Sequence, residues 1–189
     1  GTNDTGARLV DVNGDGLVDI YFAVSGYGEY VYINKGDGSG WQENDNYNTP
    51  VDIIDNLGHD LGVRFVDVNG DGLIDIIQSF NYNGGYSDQT VYINKGDGTG
   101  WQEDSNYTVP VWFTHNNIDT GARLADINGD GLVDIVQSVD YGGGSSYQHV
   151  YTNTGDGTGW IEDTNYSIPV YFESMENDAG VRLADANGD

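Results

Sequence analysis

The sequence carries three copies of a carboxylate-rich loop with the pattern Asp-x-Asn-Gly-Asp-Gly-Leu-x-Asp, at residues 11–19, 67–75 and 126–134. Oxygen-bearing side chains stand at loop positions 1, 3, 5 and 9, and the residue at position 7 can offer its backbone carbonyl. Glycines at positions 4 and 6 let the chain turn tightly around one point. Hard oxygen ligands on a flexible loop suit Ca²⁺ better than Mg²⁺, which demands stricter octahedral geometry. The pattern therefore predicts three complete calcium sites.

The predicted ligands follow from these loop positions. They are Asp11, Asn13, Asp15, Leu17 and Asp19; then Asp67, Asn69, Asp71, Leu73 and Asp75; then Asp126, Asn128, Asp130, Leu132 and Asp134. A fourth, incomplete loop supplies Asp185, Asn187 and Asp189. An EF-hand is excluded because its bidentate Glu at position 12 is replaced by Phe22, Gln78 or Gln137. The alternative is an Asx turn, in which the Asp and Asn side chains bond only their own backbone.

The loops recur because the whole chain is repetitive. The segment that begins at Gly6 returns at Gly62, Gly121 and Gly180, and a Gly-Asp-Gly-Ser/Thr-Gly-Trp marker recurs with the same spacing, so the unit is about 59 residues long. We expect one repeat domain over 1–189, with units at approximately 6–61, 62–120 and 121–179 and a partial fourth at 180–189.

Short stretches with a period of two predict four strands in each unit. In the first unit they cover approximately Arg8–Val12, Val18–Val24, Tyr30–Asn34 and Val51–Ile54. The later stretches include Leu73–Gln78, Thr90–Asn94, Val109–Phe113, Leu132–Gln137, Val150–Asn153 and Ile168–Phe172. Four short strands per repeat favour an all-β fold of tandem blades of the β-propeller type, with three units and the start of a fourth.

Composition narrows the classes of partner. The chain of 189 residues has 31 Asp and Glu against 6 Lys and Arg, a formal net charge of −25. Such a surface repels nucleic acid, and no apolar run is long enough to insert into a membrane. With 0 Cys there is no disulfide and no thiolate metal site.

Three further sets of residues stand out. Each arginine of the set Arg8, Arg64, Arg123 and Arg182 lies three residues before a loop, and we expect it to clamp carboxylate or backbone oxygens. The repeated Trp41, Trp101 and Trp160 are expected to pack between blades, with stacking on sugar rings as the alternative. The hairpins of variable length carry tyrosines that could contact a ligand: Tyr27, Tyr30, Tyr82, Tyr86, Tyr141 and Tyr147.

The sequence contains candidate glycosylation sites and lacks the common catalytic patterns. Asn-x-Ser/Thr sequons occur at Asn3, Asn106 and Asn165. The histidines stand at unrelated repeat positions, and no His-x-His pattern, nucleophile elbow or P-loop is present. We therefore expect a protein that is not an enzyme.

The loop between two strands of a repeat near 60 residues resembles the FG-GAP and VCBS repeats of integrin-α-type β-propellers, over essentially the whole chain. The Gly-Asp-Gly-Thr-Gly-Trp marker is similar to repeats of bacterial secreted proteins and toxin-complex propellers. The resemblance implies that each loop binds Ca²⁺ between the first two strands of a blade. It carries the ligand role to residues 11, 13, 15, 17 and 19 and to their counterparts in units two and three.

The sequence thus predicts an extracellular or cell-surface calcium-binding module that acts in adhesion or structural assembly. Its partners would be copies of itself, meeting head to tail in a ring or filament, or further repeats of a longer parent, and also glycans or cell-surface proteins. The alternatives are a carbohydrate-binding propeller lectin and a non-catalytic scaffold domain of a larger secreted enzyme or toxin.

Overall fold

The computed structural model describes residues 4–47 and 49–184, which form three β-sheets. No helix occurs among those residues, and accordingly none long and apolar enough to cross a membrane. The central antiparallel strands of each sheet follow one another along the chain, as a meander. The predicted all-β architecture of the β-propeller type is confirmed, and residues 185, 187 and 189 and Asn3 lie outside the described residues.

The strands fall into three groups, one for each repeat. The first sheet contains β1 (Ala7–Val10), β2 (Asp19–Val24), β3 (Gly28–Asn34) and β4 (Trp41–Glu43). The second contains β5 (Val63–Val66), β6 (Asp75–Tyr82), β7 (Tyr86–Asn94), β8 (Trp101–Glu103), β9 (Thr114–His115) and β10 (Ile118–Asp119). The third contains β11 (Ala122–Ala125), β12 (Asp134–Gly142), β13 (Ser145–Asn153), β14 (Trp160–Glu162), β15 (Glu173–Ser174) and β16 (Asn177–Asp178).

The fourth strand of each meander lies elsewhere than predicted. It is the short run that begins at each repeated Trp, whereas the stretches 51–54, 109–113 and 168–172 hold no regular strand, apart from the isolated bridges of Ile54 to Val24 and to Asp60. Of these stretches, 109–113 alternates buried and less buried side chains. In all three, isolated backbone bonds hold the chain to the sheet, such as the N–H of Phe113 to the carbonyl of Ser79 at 2.9 Å.

A two-residue hairpin follows the second and third meanders. In the second unit β9 pairs in parallel with β6, and the chain then turns through Asn116 and Asn117, which both have positive φ angles, into β10. Asn is one of the few residues that tolerates this conformation. The hairpin carries the chain from one sheet to the next and places its residues beside the third sheet.

The hydrophobic core lies between successive sheets. Trp101 of the second unit packs against Tyr21 and Tyr47 of the first, with ring centroids 5.7 and 5.8 Å apart. Trp160 of the third unit packs against Tyr107 of the second at 6.1 Å. The prediction that the repeated tryptophans pack between units is therefore confirmed for these two residues.

Candidate functional site

The first Asp of each carboxylate loop organises its own turn. The Asp11 carboxylate accepts hydrogen bonds from the N–H of Gly14 and the N–H of Gly16, both at 2.8 Å. Both glycines have positive φ angles, as the loop pattern predicts. The same bonds join Asp67 to Gly70 and Gly72, and Asp126 to Gly129 and Gly131.

The Asp at loop position 5 and the Asn at position 3 contact each other on the exposed side of the loop. Asn13 Nδ2 donates to Asp15 Oδ2 at 3.0 Å, and Asp15 Oδ1 accepts the N–H of Leu17 at 2.8 Å. Loops two and three repeat both bonds. These side chains remain at the surface, where their oxygens are accessible.

The Asp at loop position 9 has a different role from the other two. Asp75 is fully buried, and its carboxylate accepts the N–H of Val68 at 2.9 Å and the N–H of Asn94 at 2.8 Å. Burial, together with a smaller contribution from the charges of Asp71 and Asp67, raises the pKa of Asp75 to about 6, although the two backbone bonds lower it. Asp19 and Asp134 are buried in the same way, and burial raises the pKa of each. This carboxylate therefore ties the loop to the third strand of its sheet.

The assignment of these loop residues as metal ligands stays a prediction. Among residues 4–47 and 49–184, no group of three or more Asp, Glu, His or Cys side chains is arranged to hold a metal ion. The chemistry of the donors nevertheless fits a hard cation, because each loop presents carboxylate and amide oxygens at positions 1, 3 and 5. Positions 1, 3 and 5 would hold such an ion, while the buried carboxylate at position 9 would fix the loop to its sheet.

The Leu at loop position 7 connects one loop to the next. A Cβ placed on Gly14 would lie 2.5 Å from Leu73 Cδ2, and one placed on Gly70 would lie 2.9 Å from Leu132 Cδ2. Each Leu thus rests on the glycine turn of the preceding loop. Sequence analysis assigned only the backbone of this residue, and the signal for its packing role was its apolar character at the same position of three polar loops.

The four repeated arginines each pair with an Asp four residues earlier. The distances are 2.6 Å for Arg8 with Asp4, 3.4 Å for Arg64 with Asp60, 3.0 Å for Arg123 with Asp119 and 2.6 Å for Arg182 with Asp178. The same Asp accepts the N–H of the glycine that starts each repeat segment. The arginines therefore clamp carboxylates, as predicted, within an Asp-x-Gly-x-Arg unit that the sequence repeats.

The predicted ligand-contact tyrosines cluster at the hairpin end of each sheet, opposite the carboxylate loops. Tyr27 lies in the first hairpin turn and is exposed, and Tyr30 packs near Phe22 with ring centroids 6.0 Å apart. Tyr82 and Tyr86 stack across β6 and β7 at 6.2 Å. Tyr141 and Tyr147 meet edge to face across β12 and β13 at 5.9 Å.

The last of these pairs lines a cavity of about 410 Å³ between the second and third units. The walls come from the segment 110–120 of the second unit and from the hairpin of the third, and they include Trp112, His115 and Gln137. Gln137 Nε2 donates to the Thr120 carbonyl at 3.1 Å, which holds the amide at the wall. Burial raises the pKa of the Tyr141 hydroxyl, so this group stays a neutral donor at neutral pH.

Sequence analysis missed Trp112, His115 and Gln137 as members of this cavity. The available signal was that Trp112 is the one tryptophan of the 4 that stands outside the repeat marker. The corresponding residues between the first and second units are Asp52, Asp55 and Gln78. One oxygen of Asp52 is buried and has no hydrogen-bond partner among the described residues, and burial raises the pKa of this carboxyl. Similar backbones therefore hold different chemistry at the two junctions.

The candidate glycosylation sites at Asn106 and Asn165 lie on exposed turns after β8 and β14. Each side-chain amide donates to the Asp two residues earlier, at 2.8 Å for Asn106 and 2.7 Å for Asn165. Their modification stays a prediction.

Comparison with known proteins supports the fold and the repeat. Residues 11–78, which include the first two carboxylate loops, match the profile of the FG-GAP-like repeat. This segment is similar to the FG-GAP-like repeat. The resemblance predicted from the loops is thereby confirmed, and the matched repeat reaches from the first loop to strand β6 of the second sheet.

Among solved structures, the chain is similar to a lectin of Agrocybe aegerita whose structure is described as the basis of specific recognition of non-reducing terminal N-acetylglucosamine. The two share 24% sequence identity with a TM-score of 0.56. The match covers 82% of this chain and 36% of the lectin chain, so the present chain spans about a third of that protein. A search of curated proteins finds no relative with significant sequence similarity.

Proposed function

We propose that this chain is a glycan-binding repeat module that acts in adhesion at the cell surface or outside the cell. The observation that carries the proposal is the cavity between the second and third units, which combines aromatic rings with fixed polar groups. Its role is binding, and the proposal includes no catalytic step.

The composition of the cavity suits a sugar ring. Its volume of about 410 Å³ falls in the range of small-ligand sites, which is about 300–1,000 Å³. Trp112, Tyr141 and Tyr147 offer flat apolar faces, while Gln137, His115 and the tyrosine hydroxyls offer hydrogen-bonding groups. Sugars present both kinds of surface, and aromatic residues with a polar end serve both. The similar lectin recognises terminal N-acetylglucosamine, which makes that sugar the first probe.

A glycan array, followed by calorimetric titration with N-acetylglucosamine, tests the proposal. Tyr147 is 54% exposed, so Tyr147→Ala should leave the fold intact and weaken binding by about tenfold or more, equivalent to at least about 1.4 kcal/mol. Tyr27→Ala is the matched control, because Tyr27 is an exposed tyrosine of the first hairpin, remote from the cavity. An array without any bound glycan, or equal affinity for the two variants, would contradict the proposal.

We further propose that Ca²⁺ binds the three complete loops as a structural cofactor. The support is the donor set of each loop and the repulsion among its acids, which contributes to the raised pKa of Asp75. Three ions would change the formal charge from −25 to −19, since each adds two positive charges. At a calcium concentration about ten times the Kd, each site would stabilise the fold by about 1.4 kcal/mol.

Thermal melts in millimolar calcium and in chelator test this second proposal. We expect a shift of several degrees, reduced by about one third in Asp71→Ala, because Asp71 belongs to one loop of three. Asp97→Ala is the control, since Asp97 is an exposed Asp in the glycine-rich turn of the same unit. Calcium that leaves the melting temperature unchanged would refute the assignment.

A further inference from the structure

The first unit presents an apolar sheet face that no other part of the described chain covers. The face consists of Leu9, Ile20, Phe22, Tyr32 and Trp41, and we name it the open face. Leu9 is 73% exposed and Trp41 is 45% exposed. A shallow cavity of about 400 Å³, lined by Tyr30 together with the last four of these residues, lies on it. Monomeric proteins seldom leave large aromatic groups of this kind in water without a binding role.

The same positions are covered in the other two units. The residues equivalent to Trp41 are Trp101 and Trp160, which are 3% and 8% exposed. Those equivalent to Ile20 are Ile76 and Ile135, which are fully buried. Within the described residues, the open face is thus one half of an interface that is complete at two junctions and uncovered in the first unit.

The two interfaces between units of this chain show what kind of surface packs on the residues equivalent to the open face. Trp101 packs between Tyr21 and Tyr47 of the preceding unit, and Asn94 Nδ2 donates to the Val12 carbonyl at 2.9 Å. At the next junction Trp160 packs on Tyr107, and Asn153 Nδ2 donates to the Val68 carbonyl at 2.9 Å. In both cases the partner is the opposite face of the preceding repeat unit, which we name the far face. It supplies a Tyr ring that packs on the Trp and a backbone carbonyl that accepts the hydrogen bond from the Asn.

The third unit carries the matching half. Tyr166 holds the position of Tyr47 and Tyr107, and Val170 holds the position of Val51 and Val111. Tyr166 is 42% exposed and Val170 is 43% exposed, although Val51 and Val111 are buried. The far face of the third unit therefore has its contact residues in place and uncovered.

We propose that the open face is a docking surface for the third unit of a second copy of this chain. Trp41 of one copy would pack on Tyr166 of the other, and Asn34 would take the role that Asn94 and Asn153 play inside the chain. The contact is head to tail, so it uses two different surfaces and can repeat from copy to copy. This contact would account for the predicted self-association, and it identifies the residues involved.

The net charge of each copy opposes this contact, so the dependence of association on salt concentration is a test of it. Each copy carries −25, so two copies repel at low ionic strength, while apolar packing between the faces is unaffected by screening. Association should therefore strengthen as sodium chloride is raised to about 0.5 M, where charges are screened beyond about 4 Å. A contact made by ion pairs would weaken under the same conditions.

Sedimentation velocity on the 189-residue chain in about 0.5 M sodium chloride tests the proposal. We expect concentration-dependent oligomers for the wild type and for Leu57→Asp, and at least tenfold weaker association for Leu9→Asp. The two leucines are 73% and 72% exposed, and Leu57 lies outside both faces, so the variants differ in the position of the added charge. Neither substitution disturbs a buried side chain.

A mixing experiment then establishes the polarity of the contact. Leu9→Asp keeps an intact third-unit face, and Tyr166→Asp keeps an intact open face, so each variant alone should be monomeric. Mixed together they should form a 1:1 dimer that grows no further. A wild type that stays monomeric at about 1 mM, or variants that do not combine on mixing, would overturn the proposal.

Discussion

The two ends of each sheet follow opposite rules. At the carboxylate-loop end, the three units make the same hydrogen bonds with the same residue types, from the first Asp to the buried last Asp. At the hairpin end the units differ. The first has a short turn with Tyr27, the second has a stacked pair of tyrosines, and the third has an edge-to-face pair of tyrosines beside a cavity. The loop end therefore has the invariant contacts that stabilise a repeat, and the hairpin end has the varied side chains on which the proposed glycan binding depends. Changes at the two ends should therefore separate stability from binding.

The largest effect is expected from Asp75→Ala at the loop end. The change leaves the N–H groups of Val68 and Asn94 without their acceptor, and an unpaired buried donor costs about 1–3 kcal/mol. Chemical denaturation should show a loss of about 3 kcal/mol. Asp88→Ala is the control at the hairpin end, where the carboxylate accepts the Thr90 hydroxyl at 2.6 Å and no other side chain or backbone group of the described residues. If both variants lost the same stability, the two ends would not differ as described.

A smaller effect is expected from Leu132→Ala, which removes the side chain that connects the third loop to the second. Leu132 lies against the positions of Gly70 and Gly155 and is half-buried, so we expect a loss of about 2 kcal/mol. Leu17→Ala is the matched control, because Leu17 is exposed and, among the described residues, lies against the position of one glycine, Gly36. Thermal unfolding of the two variants measures both losses of stability. A larger loss for Leu17→Ala would contradict the conclusion that these leucines connect one loop to the next.

The smallest effect on stability is expected at the hairpin end, from Tyr86→Ser. Tyr86 is exposed, and its ring contacts Tyr82 and the buried Phe80 within its own hairpin. We expect the free energy of unfolding to change by less than about 0.5 kcal/mol in a denaturation experiment, as for most surface substitutions. A loss comparable with that of Leu132→Ala would show that this end, too, stabilises the sheet.

Much of the fold could be predicted because the repeat supplies the same signal several times. The loops, the strands that follow them and the tryptophan packing all come from patterns that recur at fixed spacing. The fourth strand was misplaced because Trp41–Glu43 has three residues, too few for an alternating pattern to register. The Val109–Phe113 stretch alternates in burial but is bonded mainly through isolated contacts, such as the Ser79 hydroxyl to the Val111 carbonyl at 2.6 Å.

The candidate cavity could not be predicted from the sequence, for a different reason. Trp112 and Tyr147 are 35 positions apart in chain numbering and belong to different units, so only the packing of one unit on the next brings them to one wall. The burial of Asp75 was equally hidden, because its place in the loop pattern is that of a metal ligand, while its carboxylate accepts two backbone N–H groups.

The hydrogen bond from Asn94 to Val12 bears on how the chain folds. It joins residues separated by 82 positions, and Asn153 joins Val68 across 85, whereas each sheet is built mainly from hairpins between neighbouring strands. Local hairpins close quickly and long-range contacts close slowly. Each sheet can therefore form early, and the docking of one unit on its neighbour comes later. Folding of this kind can start in any unit and spread along the chain one neighbour at a time, as in other repeat proteins.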